Sequence, residues 1–125
     1  MAEPDYSHRS RVDKLGVKPG MRVHAGGIEE LLPELAERDA LPDDDGVDIA
    51  FVRVSARDEL GALQATWSRV ASRGAMWVVY PRGVTQVTQN DVLAAGRALG
   101  LLDVKVIRFS DTHTALRFVA PRAER

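Results

Sequence analysis

Two segments of this 125-residue chain are apolar almost without a break, yet far too short to cross a membrane. They are Val47-Asp48-Ile49-Ala50-Phe51-Val52-Arg53-Val54 and Ala75-Met76-Trp77-Val78-Val79-Tyr80. Short runs of this kind, rich in β-branched and aromatic residues, suit strands buried on both faces of a sheet. Between them Leu60, Leu63, Trp67 and Val70 fall at helical spacing. Ser55-Ala56-Arg57-Asp58 supplies a capping pattern with Ser55 as N-cap, and Gly74 is expected to close that helix. A strand, a helix and a second buried strand in sequence imply a parallel sheet with helices packed on its faces.

The flanking segments extend the pattern. Arg11-Val12-Asp13-Lys14-Leu15 makes one helical turn ended by Gly16, and Lys18-Pro19-Gly20 is a turn. Met21 through Ala25 is a short strand. Ile28, Leu31, Leu32 and Leu35 then predict an amphipathic helix over 28–38, which Pro33 weakens unless it starts near Leu32. Asp39 through Gly46 reads as a solvated acidic loop, its aspartates too closely bunched for a calcium loop. Thr88-Gln89-Asn90-Asp91 repeats the capping pattern before Val92, Ala95, Gly96 and Leu99, and Gly100 ends that helix. The C-terminal segment, 102–109 and 113–119 around Ser110-Asp111-Thr112, alternates apolar with polar residues as a β-hairpin with one wetter face does. The expected fold is α/β: a small three-layer Rossmann-like sheet of about five mostly parallel strands with a C-terminal antiparallel hairpin. It forms one domain over 1–125, with a polar arm at about 1–10 whose Tyr6 is expected to dock on the domain or on a partner.

Composition narrows the chemistry. The absence of cysteine excludes thiol catalysis, disulfide frameworks and iron–sulfur clusters, and fits a reducing cytoplasm. The polar start Met1-Ala2-Glu3-Pro4-Asp5 has no signal-peptide core, and no apolar run is long enough to span a bilayer. A formal charge of −1 argues against general nucleic-acid affinity. The charge is unevenly placed, however. Residues 1–60 hold 14 acids and eight bases, and residues 61–125 four acids and nine bases. His8, His24 and His113 have no i,i+4 spacing and no cysteine to help them, so no metal set is expected.

Lys18-Pro19-Gly20-Met21-Arg22-Val23 entering a strand, Val47 through Val52, and Ser72-Arg73-Gly74 before Met76-Trp77-Val78-Val79 resemble the core of class I methyltransferases. Nearly the whole chain resembles more closely the bacterial domain-of-unknown-function family numbered three-zero-five-two. The stretches that carry this likeness are Asp5-Tyr6-Ser7, Lys14 through Val23, Met76-Trp77-Val78 with Tyr80-Pro81-Arg82, Leu101 through Val106, and Leu116-Arg117-Phe118-Val119. That family brings no known activity with it. The chain departs from it in Ala25-Gly26-Gly27, where an Asn-Ala-Pro-like turn is expected, and in His113, where a Trp is expected. The segment Asp39 to Asp48 is also too short for a further strand and crossover. The methyltransferase resemblance implies S-adenosylmethionine held by an acidic, glycine-rich turn after the first strand and an acid ending the second.

Ligands of such sheets sit at the carboxyl ends of the strands. Gly26-Gly27-Ile28-Glu29-Glu30 is not a nucleotide-binding turn, and its two glutamates occupy the first helical turn, where they repel a pyrophosphate. No cofactor is therefore expected. The residues placed to hold a small anion are Arg57 and Arg82, with Ser55, Tyr80 and His24 around them. The favoured reading of Arg57 and Arg82, however, is that Arg57 pairs with Asp58 or Glu59 and Arg82 is a solvated turn residue, and Ser110-Asp111-Thr112-His113 is a turn, not a triad. No catalytic residue is identified. The expected function is a non-catalytic module that binds a protein partner or itself. The alternative is a binder or enzyme for a small anionic ligand, with a nucleic-acid accessory role third.

Overall fold

The structure, a computed structural model, describes residues 10–124. Six strands form one sheet: β1 (Arg22–Ala25), β2 (Leu41–Pro42), β3 (Val47–Arg53), β4 (Val70–Pro81), β5 (Leu102–Arg108) and β6 (His113–Val119). Their order across the sheet is β2-β1-β3-β4-β6-β5. The pairs β1–β2, β1–β3 and β3–β4 run parallel, and β4–β6 and β5–β6 antiparallel. Among the described residues four α-helices complete the fold: α1 (Arg11–Lys14), α2 (Leu32–Glu37), α3 (Ala62–Trp67) and α4 (Gln89–Ala98). The chain thus has a mixed α/β, mostly parallel sheet closed by an antiparallel hairpin. The arm with Tyr6 and His8 lies outside the described residues.

Strand alternation sorts the core into two layers. Ile49, Phe51, Trp77 and Val79 point to one face, under Val12 and Leu15 of the α1 segment and Leu31 and Leu35 of the α2 segment. Val52, Val54, Met76 and Val78 point to the other, under Leu63 of α3 and Val92 of α4. Trp77 also ties the layers to the N-terminal turn, because its buried Nε1 donates to the Leu15 carbonyl at 3.0 Å. α4 starts with the capping box its sequence announces. The Thr88 side chain accepts from the Asp91 amide while the Asp91 carboxylate accepts from the Thr88 amide.

Four expectations are corrected. The sheet has six strands, because Leu41 and Pro42 bond to β1 inside the segment read as a loop: the Leu41 amide donates to Met21 O at 2.7 Å and the Asp43 amide to Val23 O at 3.0 Å. Pro42, which has no N–H, is tolerated because β2 is the sheet's edge. The helix expected over 28–38 is a 3-10 turn at Glu29–Leu31 followed by α2, with Pro33 in the first helical turn. Ser55 does not cap α3. Its amide donates to Glu59 Oε1, a 3-10 turn follows at Arg57–Glu59, and α3 begins only after Gly61. Gly74 does not end that helix, which stops at Trp67; Gly74 lies within β4, and Val70 opens that strand. There the register jumps from Val47–Val70 to Ile49–Ala75, and Arg73 takes a φ of 72°. A Cβ on Gly74 would fall 2.9 Å from the Asp48 carbonyl, so the bulge packs too tightly for any side chain.

Candidate functional site

The chain leaves β1 toward β2 on one side of the sheet and leaves β3 toward β4 on the other, so the switch point lies between the carboxyl ends of β1 and β3. The loop after β1 folds down onto that spot. The Gly26 amide donates to Phe51 O at 3.0 Å, and a Cβ on Gly26 would stand 2.8 Å from the same oxygen. Gly27 has a φ of +74°, and a Cβ there would meet the Cβ of Arg53 at 3.1 Å. Both glycines are required by a close approach to the chain's own β3.

Glu30, one residue into the 3-10 turn, reaches across to Arg53 at the end of β3, and the two form an ion pair between the loop after β1 and that strand end. Burial alone would raise the Glu30 carboxyl. A hydrogen bond to its own backbone amide, then Arg53 and the more distant Arg11, outweigh it and hold the pKa below the usual value. His113, at the start of β6, is near enough to both for their charges to act on it. Burial first, then the charge of Arg53, push its pKa down, and Glu30 opposes them. Its Nδ1 lies 2.8 Å from Thr112 Oγ1. Beside this group Arg11 binds Glu34 at 2.6 Å, donates to Phe109 O at 3.1 Å and lies over the Phe109 ring at 4.6 Å. Glu30 and Arg53 therefore meet from two separate elements, and His113, on a third, lies within reach of their charges. The sequence shows Glu30 only as a helix-entry acid and His113 as the residue that ends a turn and opens the last strand; their nearness depends on sheet order.

Of the five residues expected to surround an anion, Tyr80 and Arg82 lie together, Arg57 is linked to the same region through Asp91, and His24 lies apart. Arg57 Nε pairs with Asp91 Oδ2 at 2.9 Å, not with Asp58 or Glu59. Ser55 sits in the loop before it. Arg82 donates to the Asp111 carbonyl. Tyr80 is buried, with its hydroxyl 3.2 Å from Gln89 Oε1, and burial raises its pKa. Tyr80 and Arg82 share a shallow hollow of about 340 Å³ with Thr88. His24 is remote from it, in a larger cleft.

That cleft, about 650 Å³, runs between α2 and the β1–β2 edge. Val23, Leu32, Leu35, Ala40, Leu41 and Pro42 supply apolar walls, and Asp39, Asp43, Asp44 and His24 the polar groups. Asp43 is engaged by Arg22 at 2.6 Å, and the Arg22 bonds, then the Asp44 amide, lower its pKa. Asp44 follows the second strand, where the methyltransferase resemblance implies an acid. Its side chain is 90% exposed, with His24 Nδ1 at 3.6 Å. Among the described residues no group of three or more His, Asp or Glu is placed to hold a metal ion, and no helix is long and apolar enough to cross a membrane.

No protein-family model matches the chain, and no curated protein matches it either. Solved structures do. A SAM-dependent methyltransferase from Aquifex aeolicus superimposes with a TM-score of 0.66 at 13% identity, over 86% of each chain. A putative type 11 methyltransferase from Sulfolobus solfataricus gives 0.63 at 13% identity, over 99% of this chain and 96% of its own. The magnesium protoporphyrin IX methyltransferase from Synechocystis, with bound SAH, gives 0.66 at 12% identity, over 88% and 78%. At such identities the likeness is one of fold, and the chain has a methyltransferase-like Rossmann core.

Proposed function

We propose that this protein is a non-catalytic Rossmann-like module that has lost nucleotide-cofactor binding and acts by binding a protein partner or itself. The ion pair of Glu30 with Arg53 across the switch point carries this reading. A ligand of the S-adenosylmethionine type entering there must separate the two charges. Glu30, already paired with Arg53, is not free to hold the ligand's ammonium or sulfonium charge, and the ligand's carboxylate meets the neighbouring Glu29 in the first turn after β1. The glycines that in a nucleotide site admit the ligand here admit the end of β3. The binding half of the proposal is supported by the free edge of the sheet. β5 exposes Leu102, Val104 and Val106 to about half of their surface, and exposed aliphatics on an open edge favour association.

Equilibrium dialysis against radiolabelled S-adenosylmethionine, with sedimentation velocity over a concentration series, tests both halves. The expected outcome is no retained label at millimolar cofactor and either a concentration-dependent mass increase or a specific partner engaging β5. Micromolar retention of the label overturns the reading.

A further inference from the structure

The binding half of the proposed function rests on β5, and the charges around that strand name the chemistry of what it binds. Among the described residues β5 has β6 on one side and no strand on the other, so one side of its backbone is left unpaired. The register against β6 shifts between Asp103 and Lys105. Lys105, Val106, Ile107 and Arg108 then pair in unbroken order with Arg117, Leu116, Ala115 and Thr114. The bulge bends the start of the edge and leaves 105–108 as its regular part. Alternation puts Lys105 and its cross-strand neighbour Arg117 on one face, and Val106 on the other.

The charge at this edge has one sign. Asp103, the one acid of β5, is engaged by Arg97 at 3.1 Å. Among the described residues no carboxylate pairs with Lys105 or Arg117. The Lys105 ammonium reaches only the Lys14 carbonyl, at 3.5 Å, and Arg117 Nε is buried without an acceptor. Like charges directly opposite on paired strands cost stability, so a carboxylate brought beside them relieves a repulsion the fold leaves standing. A second β5 would bring further unpaired cations to the same place. A nucleic acid would meet the cations but leave Leu102, Val104 and Val106, each about half exposed, in water.

We propose that β5 accepts an extended segment of a partner protein as an added edge strand, with acidic residues on the face of Lys105 and Arg117 and aliphatic residues on the face of Val106. The backbone of the segment continues the ladder, and its alternating side chains select the partner.

The test is a titration of the full chain with acetylated seven-residue peptides, followed by backbone amide shifts. Three peptides carry valine at alternate positions with glutamate, serine or lysine between; a fourth is the glutamate peptide with its amides N-methylated throughout. The expected result is saturable shifting of 104–108 by the glutamate peptide, weaker shifting by the serine peptide, and none by the other two. Lys105→Gln, at an exposed position, is expected to weaken the glutamate peptide about three- to five-fold and leave the serine peptide unchanged. Equal binding of glutamate and serine peptides, preference for lysine, undiminished binding of the methylated peptide, or no saturable shift at β5 overturns the proposal. So does a Lys105→Gln protein that binds the glutamate peptide as the wild type does. Shifts at 104–108 that follow protein concentration alone also overturn it, by giving the edge to a second copy, and leave the proposed function standing. Displacement of the glutamate peptide by a single-stranded oligonucleotide overturns it in favour of nucleic acid. Retention of S-adenosylmethionine in the dialysis instead removes the proposed function and leaves the peptide result as measured.

Discussion

The ring of Phe118 lies against the bare backbone of Gly96: a Cβ placed on that glycine would fall 2.1 Å from Phe118 Cε1. α4 can approach β6 so closely because its buried face carries no side chain at this turn. In an ordinary helix Gly→Ala gains about 1 kcal/mol. Here overpacking against a fully buried ring costs about 1–3 kcal/mol and outweighs that gain. Gly96→Ala is expected to lower the urea midpoint, and the same substitution in a Phe118→Leu background to be milder. An unchanged or raised midpoint for Gly96→Ala contradicts this packing.

Trp77→Phe keeps most of the apolar contact and removes the bond from Nε1 to Leu15 O. A buried carbonyl left without its donor costs about 1–3 kcal/mol. The loss is expected in unfolding free energy, with faster hydrogen exchange in the α1 turn. Wild-type stability for this variant rules out the bond as a tie between α1 and the sheet.

Acid is expected to loosen the switch point in two steps. Both His113 and Glu30 have folded pKa values below their unfolded ones, so each stabilises the fold above its unfolded pKa. Each contribution fades as pH falls through the folded value, the histidine's starting below about 6.5 and the glutamate's below about 4.3. Thermal melts from pH 8 to 3 check this. His113→Gln is expected to flatten the upper step and Arg53→Gln the lower one. Parallel curves for all three proteins contradict the coupling.

Arg57 is held by Asp91 and Arg82 by the Asp111 carbonyl, and the two take part in separate local contacts. Sulfate or phosphate is expected to raise the melting temperature of wild type and of the Arg57→Ala, Arg82→Ala double variant by the same amount. Stabilisation present only in the wild type restores the anion site to these two residues.

What the sequence disclosed follows from how locally each feature is encoded. The cores of β3 and β4, the Thr88–Asp91 box and the terminal hairpin depend on residues a few positions apart, and each was legible. β2 was not, because two residues, one a proline, carry no periodicity; only bonds to Met21 and Val23 make them a strand. The cap at Ser55 failed because Glu59 reaches back to its amide and a 3-10 turn intervenes. The pairing of Glu30 with Arg53, and the placing of His113 within reach of their charges, was illegible for a further reason. It depends on β1, β3 and β6 presenting their ends to one rim, which strand order decides. The place of Glu29 and Glu30 in the first turn after β1 was visible in advance; the partner of Glu30 was not.

The central claim is that Glu30 and Arg53 close the crevice in which this fold elsewhere accommodates a nucleotide. Calorimetric titration with S-adenosylhomocysteine of the wild type and of a Glu30→Ala, Arg53→Ala double variant tests it most directly. No heat of binding to the wild type at millimolar ligand is the predicted result. Micromolar affinity in the wild type, lost when the pair is removed, would mean that the two residues hold the ligand and would contradict the account.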